Sequence, residues 1–344
     1  MKRFTEADIL RLTHRALPGE NWPGPVETLA GGSLNQVCRV HGESRSIVFK
    51  YAPPHIASQP DHALDPSRLA FEARALCLFR DDPDLGRLTG AVSPPDPLHH
   101  DPDRNILLIE DLGDGPTLAE ALAAGTAGGT AGEALGRFIG GLHRTSAGRT
   151  DLAHRFNNRP IQQTRLDLQY AAVAHYAARA GAPTGDLDRI ERRARALGND
   201  LLRPGGCLVM GDLWPPSVLP RSTGLRLIDW EFCHFGRPLQ DCAHLAAHCR
   251  MHALAAPTRA EAQAWLGFWE AFVRAVSDGD FPSDPPLDWN LHFAAEILMR
   301  TTGPFRPNGA FARIDNNDPR FSEACATAID LLVNPEGPPA MVPT

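Results

Sequence analysis

Between residues 26 and 52 the chain reads VETLAGGSLNQVCRVHGESRSIVFKYA, alternating apolar and polar positions around Gly31, Gly32 and Gly42. A period of two interrupted by glycines predicts three antiparallel strands joined by turns. The following DPSRLAFEARALCLF changes period: Leu69, Ala73, Leu76 and Phe79 recur at helical intervals behind an Asp-Pro-Ser start. Strand-like runs resume in AVSPPDPLHHD and NILLIEDL, so the first third reads as a β-sheet with one inserted helix. Ahead of it, MKRFTEADILRLTHRAL reads as a surface helix.

Beyond EDLGDGPT the pattern turns helical, in TLAEALAAG, GEALGRFIGGLHRTS, RLDLQYAAVAHYAARA, DLDRIERRARALGND, DCAHLAAHCRMHA, AEAQAWLGFWEAFVRAV and LHFAAEILMRTT. Between them, AAGTAGGTAG reads as a short low-complexity loop, and the proline-rich tail from Pro335 as a loosely held end. A strand-rich part followed by a helical part predicts an α+β chain.

Length supports that division, because 344 residues exceed what one compact core usually holds. A formal net charge of −7 argues against a general nucleic-acid binder, which needs a concentrated basic surface. The seven cysteines are scattered, odd in number and without a Cys-x-x-Cys pair, the usage of reduced thiols. No apolar stretch is long enough for a bilayer. The expectation is a soluble, cytoplasmic protein with neither nucleic acid nor membrane as partner.

Chemistry first enters at Lys50, which ends the strand-like SIVFK, and at Glu72 on the next helix. A strand lysine reaches nucleotide phosphates only when its long side chain is steered, and a carboxylate on a packed helix steers it. The alternative is two unrelated solvated charges. One strand earlier, the glycines of AGGSLNQV permit close backbone approach to an anion, while Ser33 and Asn35 offer donors. A plain hairpin turn is the competing reading. Further on, Asp212 follows one hydrophobic run and Asp229 another, with Glu231 two residues later. A carboxylate placed like Asp212 can accept the proton of a bound hydroxyl; Asp229 and Glu231 can offer hard oxygen ligands to magnesium.

Other signals have simpler explanations. His244, His248 and His252 recur at four-residue steps, but their apolar neighbours favour core-edge or solvent-facing histidines over zinc. Trp265, Phe268, Trp269 and Phe272 read as helical core, and RIERRARAL as a solvated helix face.

Taken in order, Lys50, Glu72, EDL at 110–112, GDLWPPSVL at 211–219 and IDWEF at 228–232 resemble the aminoglycoside-phosphotransferase and protein-kinase-like superfamily. Within it, GSLNQVCRV, IVFKYAPPHI, SRLAFEARAL, GDLWPPSVL and IDWEF are similar to 5-methylthioribose kinases. The resemblance implies a bilobal protein-kinase-like fold with a small antiparallel-sheet N-lobe and a larger, mostly helical C-lobe. Residues 1–112 would form the nucleotide lobe ending in a hinge, 113–334 the catalytic and substrate lobe, and 335–344 the tail.

Carried onto this sequence, the resemblance implies ATP and Mg2+ as cofactors and a small molecule bearing a hydroxyl as substrate, with a homodimer left open. The loop residues Gly32, Ser33 and Asn35 would lie on the nucleotide, Lys50 would contact its phosphates with Glu72 as partner, and Glu110, Asp111 and Leu112 would form the hinge beside adenine. Asp212 would be the catalytic base, Asp229, Glu231 and Ser217 metal ligands, Asp241 an acid bracing the catalytic loop, and Arg300 of EILMRTTG a contact to substrate and transferred phosphate. There are departures. Met210 stands where much of the superfamily has His, Ser217 where a metal-binding Asn is frequent, and Met299-Arg300 where the methylthioribose kinases carry two arginines. The first acceptor expected is sugar-like, 5-methylthioribose. The alternatives are an aminoglycoside, a nucleoside antibiotic or an amino alcohol, and, in another class, a regulatory nucleotide-binding protein without transferase activity.

Overall fold

The computed structural model describes residues 4–29, 34–56, 59–277 and 286–342. The chain divides into two compact units, a smaller one of Met1–Arg87, Pro94–Asp114 and Ile228–Phe232, and a larger one of Leu88–Ser93, Gly115–Leu227 and Cys233–Thr344. This differs from a single cut at residue 112. The segment bearing Asp229 and Glu231 belongs to the smaller unit, although more than a hundred residues of the larger one precede it in sequence.

In the smaller unit a five-stranded antiparallel sheet runs in the order Val26–Thr28, Gln36–His41, Ser46–Tyr51, Ile106–Glu110 and Pro97–Asp101. Strand alternation sends Cys38, Val40, Ile47, Phe49, Ile106 and Leu108 to one buried cluster with Ile9 and Trp22. Ile9 comes from the helix Glu6–Ala16, which Thr5 and Asp8 start with a capping box. Lys50 follows Phe49, so its side chain leaves by the other face, where it lies opposite Val37 and Leu107 in the register. The helix Arg68–Asp81 carries Phe79, whose ring meets Trp230 edge-on at 4.8 Å and so ties the helix to the Ile228–Phe232 segment.

Val92–Ser93, expected in that sheet, pairs instead with Gly224–Leu227 of the larger unit, in parallel. The larger unit is otherwise mostly helical. Its helices Gly129–Ser146 and Arg259–Ser277 approach unusually closely, because Gly132 and Gly136 present no side chain at the crossing. A Cβ on Gly132 would lie 2.1 Å from the Phe268 carbonyl oxygen, and one on Gly136 2.4 Å from that of Phe272. The glycine-rich stretch expected to be a loop therefore supplies a helix start. Trp265, Phe268, Trp269 and Phe272 are buried core, as their spacing suggests.

Two further differences bear on the sequence reading. The stretch from Arg165 to Ala180 is not one helix: Arg159–Arg165 runs into a π turn, Leu166–Tyr170, before Val173–Arg179. The tail is tied down rather than loose. Trp269 and Trp289 donate from Nε1 to the carbonyls of Met341 and Ala340 at 2.6 and 2.9 Å, and Asn290 Nδ2 donates to that of Pro335 at 3.0 Å. Each buried donor thereby gains a partner that the proline-rich backbone, poor in N–H groups, can provide. No helix among the described residues is long and apolar enough to cross a membrane, and all seven cysteines are free.

Candidate active site

In the smaller unit the structure joins Lys50, Glu72 and Asp229. Lys50 Nζ donates to both Glu72 oxygens at 2.7 and 2.8 Å and to Asp229 Oδ1 at 2.9 Å. Lys50 is 2% exposed and Glu72 not at all. Burial opposes the lysine charge, but Asp229, Glu72 and Glu231 outweigh it and hold the ammonium above the usual lysine range. Burial pushes the Glu72 carboxyl up, with Asp229 and Glu231 adding to the rise and Lys50 opposing it. Asp229 sits at φ 65°, a left-handed backbone uncommon for a residue with a Cβ, at the turn into Trp230–Phe232. Its side chain is 42% exposed, making it the open carboxylate of the three.

Glu231 faces a different partner set. Its oxygens accept from Asn35 Nδ2 at 3.0 Å, and Arg68 Nε lies 3.0 Å from Oε2. Arg68 is buried and also donates to the Asn35 side-chain oxygen and to the carbonyls of Leu34, Pro53 and Asp65. The sequence reading passed over Arg68. Its signal was position, four residues before Glu72 and hence on the same helix face. Asn35, expected on the nucleotide, has its amide committed to Glu231 and Arg68, while Gly32 and Ser33 lie outside the described residues.

The hinge segment has its side chains engaged in the sheet. Asp111 accepts from Arg39 Nε at 2.6 Å, Ser46 Oγ at 2.5 Å and the Gly113 N–H at 3.0 Å. Although burial raises its carboxyl, these bonds hold it below the usual range. Glu110 accepts from the Asp96 N–H at 3.1 Å, and Leu112 is half-buried.

In the larger unit, the strand Cys207–Val209 delivers the loop Met210-Gly211-Asp212, with Gly211 at φ 81°. Asp241 braces it, accepting from the N–H groups of Met210 and Gly211 at 3.1 and 2.8 Å. His143 Nε2 lies 2.8 Å from the same carboxylate, a histidine partner supplied from a distant helix where position 210 is Met. Asp212 Oδ1 accepts from Arg165 Nη2 at 3.0 Å, and His244 Nε2 lies 3.3 Å from it, off the alignment of a strong hydrogen bond. Burial would raise the Asp212 carboxyl; the His244 contact and the charges of Arg165 and Arg300 overcome that and hold it well below the usual range. The group stays ionised, and its side chain is 20% exposed.

Arg300 lies on the helix Pro286–Thr301. Its Nε donates to Glu296 Oε1 at 2.7 Å, and its guanidinium covers the Trp214 ring at 4.7 Å and approaches Phe305 at 5.7 Å. The Ser217 hydroxyl is buried with no hydrogen-bond partner among the described residues. His244 and His248, expected at a core edge or in solvent, are buried inside this cluster. Burial pushes His248 down to about 4. Ligating atoms of His244, His248 and Glu296 come within 4.8 Å of one another. Yet Glu296 already accepts from Arg300, His248 and Gln169, and two guanidiniums beside the group oppose a further cation. His252 instead stacks on Trp265, centroids 4.2 Å apart.

A kinase-like sheet with a lysine–glutamate pair, followed by a helical unit with an ionised loop aspartate, is the framework of an ATP-dependent phosphotransferase acting on a hydroxyl. Residues 25–276 match the phosphotransferase enzyme family, and the chain belongs to that family. A 4-hydroxytryptamine kinase of Psilocybe cyanescens is 28% identical over 267 residues, 71% of this chain and 73% of that one. Among solved structures, a choline/ethanolamine kinase family protein of Mesorhizobium loti has a TM-score of 0.52 at 18% identity, covering 94% of this chain and 99% of that one. An amicoumacin kinase in complex with AMP-PNP and Ca2+ has a TM-score of 0.54 at 14% identity, covering 99% and 96%. Membership of an enzyme family sets aside the reading as a regulatory protein without transferase activity.

Proposed function

We propose that this chain transfers the γ-phosphate of ATP to a hydroxyl of a small, amine-bearing molecule, with Asp212 orienting that hydroxyl. The observation that carries the reading is the Asp212 carboxylate: ionised, partly open, and held from behind by Arg165 on a loop that Asp241 braces. A carboxylate of such low basicity is a weak general base. Its work is to align the hydroxyl by accepting its hydrogen bond and to take the proton late, as the phosphoryl group arrives.

In the same reading Lys50, steered by Glu72, neutralises nucleotide phosphates, and the backbone of Glu110, Asp111 and Leu112 borders the adenine. Asn35 anchors on Glu231 and Arg68. A divalent ion fits the residues present in the smaller unit, where Asp229 has an exposed carboxylate. Glu231, neutralised by Arg68, is the weaker ligand and the stronger anchor. The ion, Mg2+ in this proposal, would neutralise charge on the transferring phosphate. Arg300, with Nε fixed on Glu296, has its terminal nitrogens to fork phosphoryl oxygens.

The acceptor is the finer point. Similarity to methylthioribose kinases puts a sugar first, but the curated relative quoted above is named for 4-hydroxytryptamine, a hydroxylated aromatic amine. That name ranks such amines, then other amino alcohols and antibiotics, ahead of methylthioribose. An ADP-release panel with Mg2+ over 4-hydroxytryptamine, amino alcohols, aminoglycosides and methylthioribose tests it. Acceptor-dependent release with an amine is the expected result. Release with methylthioribose alone would restore the sugar reading.

A further inference from the structure

Two buried polar residues of the larger unit, Gln169 and His244, have no role in the reading above, and they join Arg165 and Glu296, which hold Asp212 and Arg300. The four form a closed circuit that begins at Asp212 and ends at Arg300. Arg165 Nη2 holds Asp212, and its Nη1 donates to Gln169 Oε1 at 3.1 Å. Gln169 Nε2 then donates to Glu296 Oε2 at 3.2 Å, and Glu296 Oε1 takes Arg300 Nε at 2.7 Å. The direction of each bond is forced, because a guanidinium only donates and a carboxylate only accepts, leaving one orientation for the amide between them. His244 closes the circuit, with Nε2 3.3 Å from Asp212, Nδ1 3.4 Å from Arg165 Nη1, and Nδ1 3.6 Å from Glu296 Oε2.

Local backbone geometry makes this circuit available. Arg165 ends an α-helix and Gln169 sits in the π turn that follows, where the Ala171 N–H bonds to the Leu166 carbonyl five residues back. The wider turn carries both side chains to the cluster, a placement π turns often serve at functional sites. Two guanidiniums face two carboxylates, and removing one member leaves a partner uncompensated.

We infer that Glu296 is a positioning residue which holds Arg300 directly, and Asp212 through Gln169 and Arg165, in one fixed geometry. The inference rests on the roles proposed for those two residues. It predicts that Arg300 and Glu296 act as a pair: the carboxylate fixes Nε and aims the fork, and the fork is what reaches the phosphate.

Steady-state kinetics with the acceptor that the panel yields, alongside thermal melting, tests this on Glu296→Gln and Gln169→Leu in the full chain. Glu296→Gln is expected to lower kcat about tenfold while leaving the KM for ATP near wild type. In an Arg300→Ala background the same change should cost less than about threefold, since only the longer arm through Gln169 and Arg165 to Asp212 remains. Gln169→Leu should show the same split more weakly. Wild-type kcat in both single variants, or a Glu296→Gln loss that multiplies in full onto Arg300→Ala, would overturn the inference. If Glu296→Gln does not fold, Gln169→Leu decides alone: a lowered kcat at unchanged KM for ATP supports the inference, and wild-type kcat overturns it. Asp212→Asn, run in parallel, separates the two levels. Turnover retained there refutes the proposed catalytic role itself, whereas turnover lost there with normal Glu296 and Gln169 variants refutes only the positioning.

Discussion

Asp229 and His252 show how burial decides what a single residue does. Asp229 shares Lys50 with Glu72 but alone keeps an exposed carboxylate, so Asp229→Ala should raise the Mg2+ concentration for half-maximal activity by about tenfold or more. Glu231→Gln should shift it less, because Glu231 is taken up by Arg68 and Asn35; an Mg2+ titration of both variants checks the order. His252, half-buried and stacked on Trp265, has its pKa pushed from 6.5 down to about 3, chiefly by desolvation of the ring. The unfolded chain therefore takes up a proton below about pH 6.5 that the folded chain refuses, and stability falls as pH drops from there toward 4. Each such histidine contributes a slope approaching about 1.4 kcal/mol per pH unit. His252→Phe should flatten the melting-temperature profile in that window, and parallel profiles would contradict it. At this scale Lys50, Asp212 and Asp229 were legible as candidates because each ends or follows a strand-like run, and Glu72 because it lies on the next helix. Arg68, Arg165 and Glu296 were not, since a buried charge is identified by partners that lie 163, 47 and 52 residues away in Glu231, Asp212 and His244.

Elements were legible where one face is apolar and obscured where packing overrides propensity. The sheet and the Arg68–Asp81 helix follow their periods. The start of Gly129–Ser146 does not, because glycine is a poor helix former and earns its place only by what crosses it. Gly136→Ala would press a methyl against the Phe272 carbonyl at 2.4 Å and should destabilise the protein by about 1–3 kcal/mol. A lower melting temperature with kcat per folded molecule unchanged is the expected outcome; an unchanged or higher one would mean that the two helices separate freely. The helix Pro319–Val333 was missed altogether, its alternating small and apolar residues offering little contrast, although Asp318 caps it through the Arg320 N–H. The π turn was invisible for a different reason: a widened turn leaves no compositional trace, and only the relay from Arg165 through Gln169 to Glu296 reveals its use.

At the scale of the whole molecule, each unit contains its own self-consistent set of polar groups. The smaller unit holds a desolvated lysine with its two carboxylates, suited to phosphate, and the larger unit an ionised aspartate and an arginine suited to a hydroxyl and a migrating phosphoryl group. Chain order conceals this, since Asp229 lies only 17 residues after Asp212 yet folds with Lys50. The most direct measurement is the rate of acceptor-dependent ADP formation by wild-type protein and Asp212→Asn, with ATP affinity measured on both. The account predicts that Asp212→Asn binds ATP as wild type does and loses about 10²-fold or more of kcat. Turnover equal to wild type in the variant, with affinity unchanged, would contradict it.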